Sequence, residues 1–467
     1  MQKIFLLFSL VYSIVAPSVC HSQQILNDSI TNNLRITIQG FKDRYHSPSI
    51  VVVLVHDQKI IFSEALGYTD LENKIAATTN SKYPILSITK MFTATMFMQL
   101  RQNKIVGLED DVKKYVPEYK AVPGIDNDRD ITLFQLATHT SGLPRNSQAD
   151  INFTKQVDRC ILTGADIPTI EPSTKKEFLH SLKFIKKEYP DFELLSYNDR
   201  YYSNLGYSLL GIALERVVKT DYADYVVKNI CKPLKMENSG FNAESIGKNI
   251  LAKGYYYNDS SKDFKMMPIF KANSAVYAGG MYSTASDLAK FISFQFDNDV
   301  HAEKILSKKN KAMMQSFKIG WKPSFPFVLH EGSMVGFRCE IVVNPELKIG
   351  WVILTNTTDF DFSRINDVLT KLIMPVFVKK PVTELSKYTG TYRLAGGYDS
   401  LTIYLKDGNL YSTYLQDKLP QLPLIFSGNN KFKGQANGSY SIAYDVITNE
   451  RSEIKFLNMG QLMWIKQ

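Results

Sequence analysis

The chain has 467 residues, 44% of them hydrophobic and 22% charged, a globular composition that excludes wholesale disorder and fibrous repeats. Fifty-five Lys and Arg against 46 Asp and Glu give a net charge of +9. The excess is spread along the chain rather than gathered into a basic block, so no nucleic-acid partner is expected.

Lys3 precedes an apolar run from Ile4 to Ala16, the length of a secretory h-region. Pro17 breaks the run, and Cys20-His21-Ser22 offers small residues before a cut at Gln23. Residues 1–22 therefore read as an export signal, and the mature protein is expected to be periplasmic or secreted. An uncleaved anchor helix and a lipid anchor on Cys20 are the alternatives; the second is weakened because Cys20 follows Val19 rather than Gly or Ala. Beyond this segment nothing approaches ~18 uninterrupted apolar residues, so no membrane span is expected in the mature chain. Three cysteines remain, Cys160, Cys231 and Cys339, without any C-x-x-C, which argues against a disulfide framework.

Residues 24–45 read as an amphipathic helix. Ile50 to His56 and Lys59 to Leu66 read as a hairpin over Asp57-Gln58. Leu86 to Gln102 reads as a strongly apolar helix. Turn chemistry follows at Val122-Pro123-Gly124 and at Ser141-Gly142-Leu143-Pro144. Lys175 to Lys187 reads as a solvated helix face, and Asn204 to Lys219 as a buried helix. Val328 to Thr355 reads as three strands with a turn at Asn344-Pro345, followed by a helix at Arg364 to Val376. This order predicts an α+β fold: an antiparallel sheet built from both chain ends, flanked by helices, with a helical lobe inserted. After Lys379-Lys380-Pro381 the chain turns to short strands, with a hairpin signal at Asp407-Gly408. Residues 23–378 are read as the main domain, and 385–467 as a small C-terminal all-β barrel or sandwich.

The chemistry is narrowed by what is missing. There is no H-E-x-x-H, and the seven histidines show no ligand spacing, so no metal is expected; phosphate-cradling glycine motifs are absent too. S-x-x-K occurs at Ser87, Ser173, Ser245 and Ser452, and context separates them. The last three lie in polar surroundings and read as solvated surface. Ser87-Ile88-Thr89-Lys90 opens an apolar helix, where a buried lysine needs a reason. Spacing i to i+3 places the Lys90 amine on the face of the Ser87 hydroxyl, and desolvation makes that amine a base near neutral pH. A capping serine beside a snorkelling lysine is the structural alternative.

The stretch Ser81-Lys-Tyr-Pro-Ile-Leu-Ser-Ile-Thr-Lys-Met-Phe-Thr-Ala resembles the nucleophile segment of the serine β-lactamase and penicillin-binding-protein superfamily, in its class C-like branch of DD-peptidases and esterases. Ile131 to Pro144, Tyr202 to Gly211, Pro233 to Phe241, Ala278 to Lys290 and His330-Glu-Gly332 are similar to further blocks of that family, in family order. The resemblance implies Ser87 as acylated nucleophile, Lys90 as its activator and Tyr202 as general base and acid. It implies Asn204 as a substrate-amide ligand, His330 and Gly332 as the H-x-G strand, and Ser333 as an oxyanion donor with Ser87. A phenol with a pKa near ~10 needs a nearby cation for that role. His139 falls in a family-like segment and reads as structural.

Two departures stand out. H-x-G replaces K-T-G, and a neutral histidine is a weaker partner for a carboxylate than lysine. Glu331 at its centre is positioned to neutralise a cationic His330, if its side chain reaches. The link between Pro190 and Tyr202 is lengthened relative to the family pattern. The C-terminal unit resembles lipocalin-like appendages, either stabilising or gating. The resulting expectation is an exported serine hydrolase without cofactor, acting through an acyl-serine on the amide, ester or β-lactam carbonyl of a small-molecule or peptide substrate. A D-amino-acid peptidase leads; a small-ester esterase and a catalytically silent binding protein are the alternatives.

Overall fold

The computed structural model describes residues 25–119, 130–163, 172–188, 199–242, 251–269, 271–297, 299–324, 326–377, 385–394, 400–406, 409–413, 422–428, 431–436, 440–448, 454–459 and 462–467. The export segment, Cys20, Ser245, Ser452, the Val122-Pro123-Gly124 and Asp407-Gly408 turns and the lengthened link as far as Asn198 lie outside them; the link ends in a 3-10 turn at Asp199–Tyr201.

A seven-stranded sheet is the frame. Its strands are β1 (Ser49–His56), β2 (Lys59–Asp70), β3 (Ile75–Ala76), β4 (Lys322–Ser324), β5 (Phe327–Met334), β6 (Phe337–Asn344) and β7 (Ile349–Thr355). The order is β3-β2-β1-β7-β6-β5-β4, with antiparallel pairing throughout. β1 pairs with β7 in the register Val53↔Val352, so the sheet is closed by strands from the two ends of the domain, as expected. The unbroken apolar run of β1 follows from burial on both faces. Val51, Val53 and Val55 enter one core, and Ile50, Val52 and Leu54 the other.

The longer helices are α1 (Asp28–Arg44), α2 (Thr89–Gln102), α3 (Gln148–Thr163), α4 (Asn204–Val218), α5 (Ala285–Phe296) and α6 (Phe362–Phe377). Residues of α1 and α6 build the core on one sheet face; α2, α4 and α5 contribute to the core on the other. In α2 every residue from Thr89 to Leu100 is buried, the signature of a helix apolar all round.

Several expectations need correction. The predicted helix from Leu86 begins as a 3-10 turn over Leu86–Ile88, and α2 starts only at Thr89. Just before the turn, Pro84 pairs with Tyr282 in a two-residue bridge of strands. The Lys175–Lys187 stretch is a helix only to Ser181, then a 3-10 turn, and it buries Phe178 and Leu182. Ser173 is not solvated surface: it is buried, donating to Asp150 and bonded to Ser274. The C-terminal unit is a closed antiparallel barrel of eight strands, from Gly390–Leu394 to Leu462–Lys466. Leu422–Gly428 and Lys431–Ala436 are two of its strands.

Candidate active site

Ser87 sits in the 3-10 turn ahead of α2. The turn begins at Leu86 with φ +50, a left-handed conformation unusual for a branched side chain, which swings the chain sharply into the helix. It is held from two sides. The Ile85 N–H donates to the Met281 carbonyl at 2.9 Å, and the Cys339 thiol on β6 donates to the Ile85 carbonyl at 3.0 Å. Ser87 caps nothing here, since the turn has no side-chain cap. Its Oγ lies 3.0 Å from the Lys90 Nζ, so the capping alternative is not the one observed.

Lys90 is fully buried, and its amine has three neighbours: Ser87 Oγ at 3.0 Å, Asn204 Oδ1 at 2.8 Å and the Ala278 carbonyl at 2.8 Å. The last two can only accept. They occupy two N–H groups, which leaves one tetrahedral position for Ser87. Burial holds the Lys90 pKa well below its ordinary value, and the Arg145 charge pushes the same way. In a neutral amine the position facing Ser87 is a lone pair, able to accept the hydroxyl proton.

Asn204 and Tyr202 are placed by the segment read as structural. Ser203 is the N-cap of α4, accepting the Gly206 N–H at 2.8 Å and donating to the Pro144 carbonyl at 2.6 Å. The Asn204 N–H donates to the Arg145 carbonyl at 2.8 Å, and its side-chain Nδ2 to Asn146 Oδ1 at 2.8 Å. His139 accepts the Ser203 N–H on Nδ1 at 3.0 Å. Residues 139–146 are thus a mould for Tyr202 to Leu205. The sequence missed this contact function; the only trace was that both blocks occur together in the family pattern.

Tyr202 is buried between cations and rings. The Lys90 Nζ and the Arg145 Cζ each lie 4.9 Å from its ring centroid. Its ring centroid is 6.1 Å from that of His330. Arg145 thus places a permanent positive charge beside this ring.

His330 on β5 is buried, and burial, with the Lys90 charge, lowers its pKa to about 3. It is neutral at physiological pH. Its Nδ1 lies 2.9 Å from the Glu331 carbonyl, which fixes the proton on Nδ1. The Glu331 carboxylate does not neutralise His330: it lies 3.7 Å from Lys322, and only its backbone oxygen reaches the imidazole. Gly332 is required by packing. A Cβ there would lie 2.5 Å from the Ile85 carbonyl and 2.3 Å from Cys339 Sγ, so only glycine lets β5 lie against the Ser87 turn. Ser333 follows on β5, paired across the sheet with Arg338, whose guanidinium donates to its hydroxyl.

A cleft of about 430 Å³ opens beside these residues, and Ser87, Asn204, Asn146 and Ser333 all line it. Of the sequence-predicted residues, Ser87, Lys90 and Asn204 are joined by hydrogen bonds, Tyr202 by its contact with Lys90, and His330 by its contact with Tyr202. Gly332 and Ser333 flank the Ser87 turn.

The profile of the β-lactamase family matches residues 34–372. "Protein flp" of Staphylococcus aureus strain MRSA252 is 27% identical over 343 residues, covering 71% of this chain and 64% of its own length. "Beta-lactamase-like protein 2" of Dictyostelium discoideum is 30% identical over 259 residues, covering 55% and 43%. The chain spans less than two thirds of the length of these relatives. Among solved structures, the octameric penicillin-binding protein homologue from Pyrococcus abyssi superposes with TM-score 0.62 at 24% identity, covering 93% of this chain and 99% of its own. The β-lactamase/D-alanine carboxypeptidase from Yersinia pestis gives TM-score 0.56 at 23% identity, over 75% and 99%. These two likenesses establish the shared fold. With the profile match running from α1 to α6, they mean that the chain belongs to the β-lactamase family.

Proposed function

We propose that the protein is an exported serine hydrolase working through an acyl-serine intermediate on an ester or amide carbonyl. The observation that carries this reading is the buried Lys90 amine, 3.0 Å from Ser87 Oγ with its other two contacts both acceptors. Ser87 Oγ attacks the carbonyl carbon and passes its proton to Lys90 or to the Tyr202 phenolate. The carbonyl π bond becomes an oxyanion facing the backbone N–H groups of Ser87 and Ser333. The carbonyl re-forms as the bond to the leaving group breaks, and whichever of the two groups took the Ser87 proton returns it to the leaving group. Water, deprotonated by the same base, then cleaves the acyl-serine. Asn204 orients the substrate, and residues 1–22 direct export.

The neutral His330 favours substrates without a carboxylate beside the scissile bond, and so favours esters. A D-amino-acid peptidase is the second reading, supported by Arg338, whose guanidinium lines the same cleft and suits a peptide carboxylate. The test is adduct mapping. Wild type and Ser87→Ala are incubated with a fluorophosphonate and a fluorescent penicillin, and mass spectrometry locates the label. A single adduct on Ser87, absent from the variant, is expected. Equal labelling of both overturns the nucleophile; labelling of neither favours a binding protein. p-Nitrophenyl esters, D-Ala-D-Ala peptides and nitrocefin then separate the substrate classes.

A further inference from the structure

Arg145 does two separate things. Its backbone carbonyl accepts the Asn204 N–H at 2.8 Å and the Leu205 N–H at 3.2 Å, and so holds the start of α4. Its side chain takes no part in that. It is exposed, and no carboxylate of the described residues pairs with it. The guanidinium lies against the Tyr202 ring instead, with Cζ 4.9 Å from the centroid, as far from it as the Lys90 Nζ.

Among the described residues, the other titratable groups around Lys90 and Tyr202 bring little charge of their own. Burial keeps His139, on the 139–146 loop, and His330, on β5, neutral. On α4, the Tyr207 ring centroid lies 5.7 Å from the Lys90 Nζ, and burial keeps its phenol protonated. Lys322 on β4 acts on both histidines, but Glu331 lies 3.7 Å from its amine. Arg145 is a standing charge at the ring itself.

We propose that Arg145 is a positioning residue acting through Lys90 and Tyr202: its charge holds this pair in the form that accepts the Ser87 proton at neutral pH. This rests on the hydrolase reading and goes beyond it, by naming what sets the pH range of the site. A neighbouring cation disfavours an ammonium and favours a phenolate, so it acts in the same direction whichever group takes the proton. Lys90 and Tyr202 titrate as a pair, and the observable is one acid limb that belongs to both. The same charge weakens the base once it is deprotonated, so the gain is confined to pH values below that limb.

The experiment uses the full chain and an uncharged alkyl fluorophosphonate, so that no substrate charge enters. The second-order rate of Ser87 labelling is followed from about pH 5 to about pH 10. Arg145→Met is expected to raise the midpoint of the acid limb by about 0.5–1 unit, the effect of one partly screened charge. Labelling then slows about three- to tenfold below the limb and matches or exceeds wild type above it. Arg145→Lys keeps the charge and should leave the midpoint within about 0.3 unit of wild type. A merely structural role would lower the rate at every pH without moving the midpoint. An unmoved midpoint in Arg145→Met, or an equal displacement in Arg145→Lys, overturns the role of Arg145, while labelling of wild type at Ser87 leaves the hydrolase reading standing. If wild type is not labelled at Ser87 at any pH, the hydrolase reading falls and takes this inference with it.

Discussion

His139 and Tyr202 stack with ring centroids 4.2 Å apart, and the same imidazole accepts the N–H of the next residue, Ser203, at 3.0 Å. One buried ring therefore fixes both the plane of Tyr202 and the start of α4. A neutral imidazole is needed, because Nδ1 must accept, and burial keeps the His139 pKa well below its ordinary value. His139 itself holds φ +59, a conformation that the surrounding packing must enforce.

Replacing His139 with Ala removes the stack and leaves the Ser203 N–H without that acceptor. A stability loss of about 1–3 kcal/mol is expected, read by urea denaturation. Ser87 acylation should fall at least tenfold in the fraction that remains folded. His139→Asn, which restores an acceptor, should recover stability more than rate, because Tyr202 still lacks its stacking partner.

Lys90→Met keeps the length of the side chain and deletes the amine. Acylation by a fluorophosphonate should slow by about 10²–10⁴, the usual contribution of a positioned base. Asn204 Oδ1 and the Ala278 carbonyl lose a donor. Folding should survive, because burying the amine was itself costly. Circular dichroism melts of variant and wild type separate the two effects.

Gly332→Ala forces a methyl group against the Ile85 carbonyl and Cys339 Sγ. The expected cost is about 1–3 kcal/mol, with a larger loss of activity because the displaced turn carries Ser87. Adding Cys339→Ala removes the closest of these clashes. The double variant should be more stable than the sum of the singles predicts, a coupling that a double-mutant cycle measures.

The pH dependence of stability has two limbs. His330 has its folded pKa lowered to about 3, so its contribution is present above 6.5 and is lost as the pH falls toward 3. Glu340 is the reverse. Burial lifts its carboxyl to about 8, so its contribution is present below 4.5 and is lost as the pH rises through 8. Both Glu340 oxygens accept from Asn366, at 3.0 and 2.9 Å. Glu340→Gln should therefore raise the melting temperature at pH 9 relative to wild type, with a much smaller change at pH 4. Equal shifts at both pH values would contradict a buried, protonated Glu340.

Much of this was legible because the strongest signals are local. The unbroken apolar run of β1, the apolar run of α2 with one lysine in it, and the turn residues around Asn344 are all written in short windows. What was not legible depends on partners distant in the chain. The strain at Leu86 and the 3-10 start of α2 arise from contacts to Met281 and Cys339. Whether Glu331 reaches His330 was left open by the sequence, and Lys322 on the neighbouring strand lies beside its carboxylate. His139 read as structural, yet its ring touches Tyr202 only because residues 139–146 and 202–205 meet in space.

The pairing of β1 with β7 bears on how the chain reaches this state. A central strand made at the beginning must wait for its neighbour until nearly the whole domain has been synthesised. Until then one long edge of β1, rich in valine, lies open to any other extended segment. Fragments that end before Ile349 are therefore expected to aggregate rather than to populate a half-built domain.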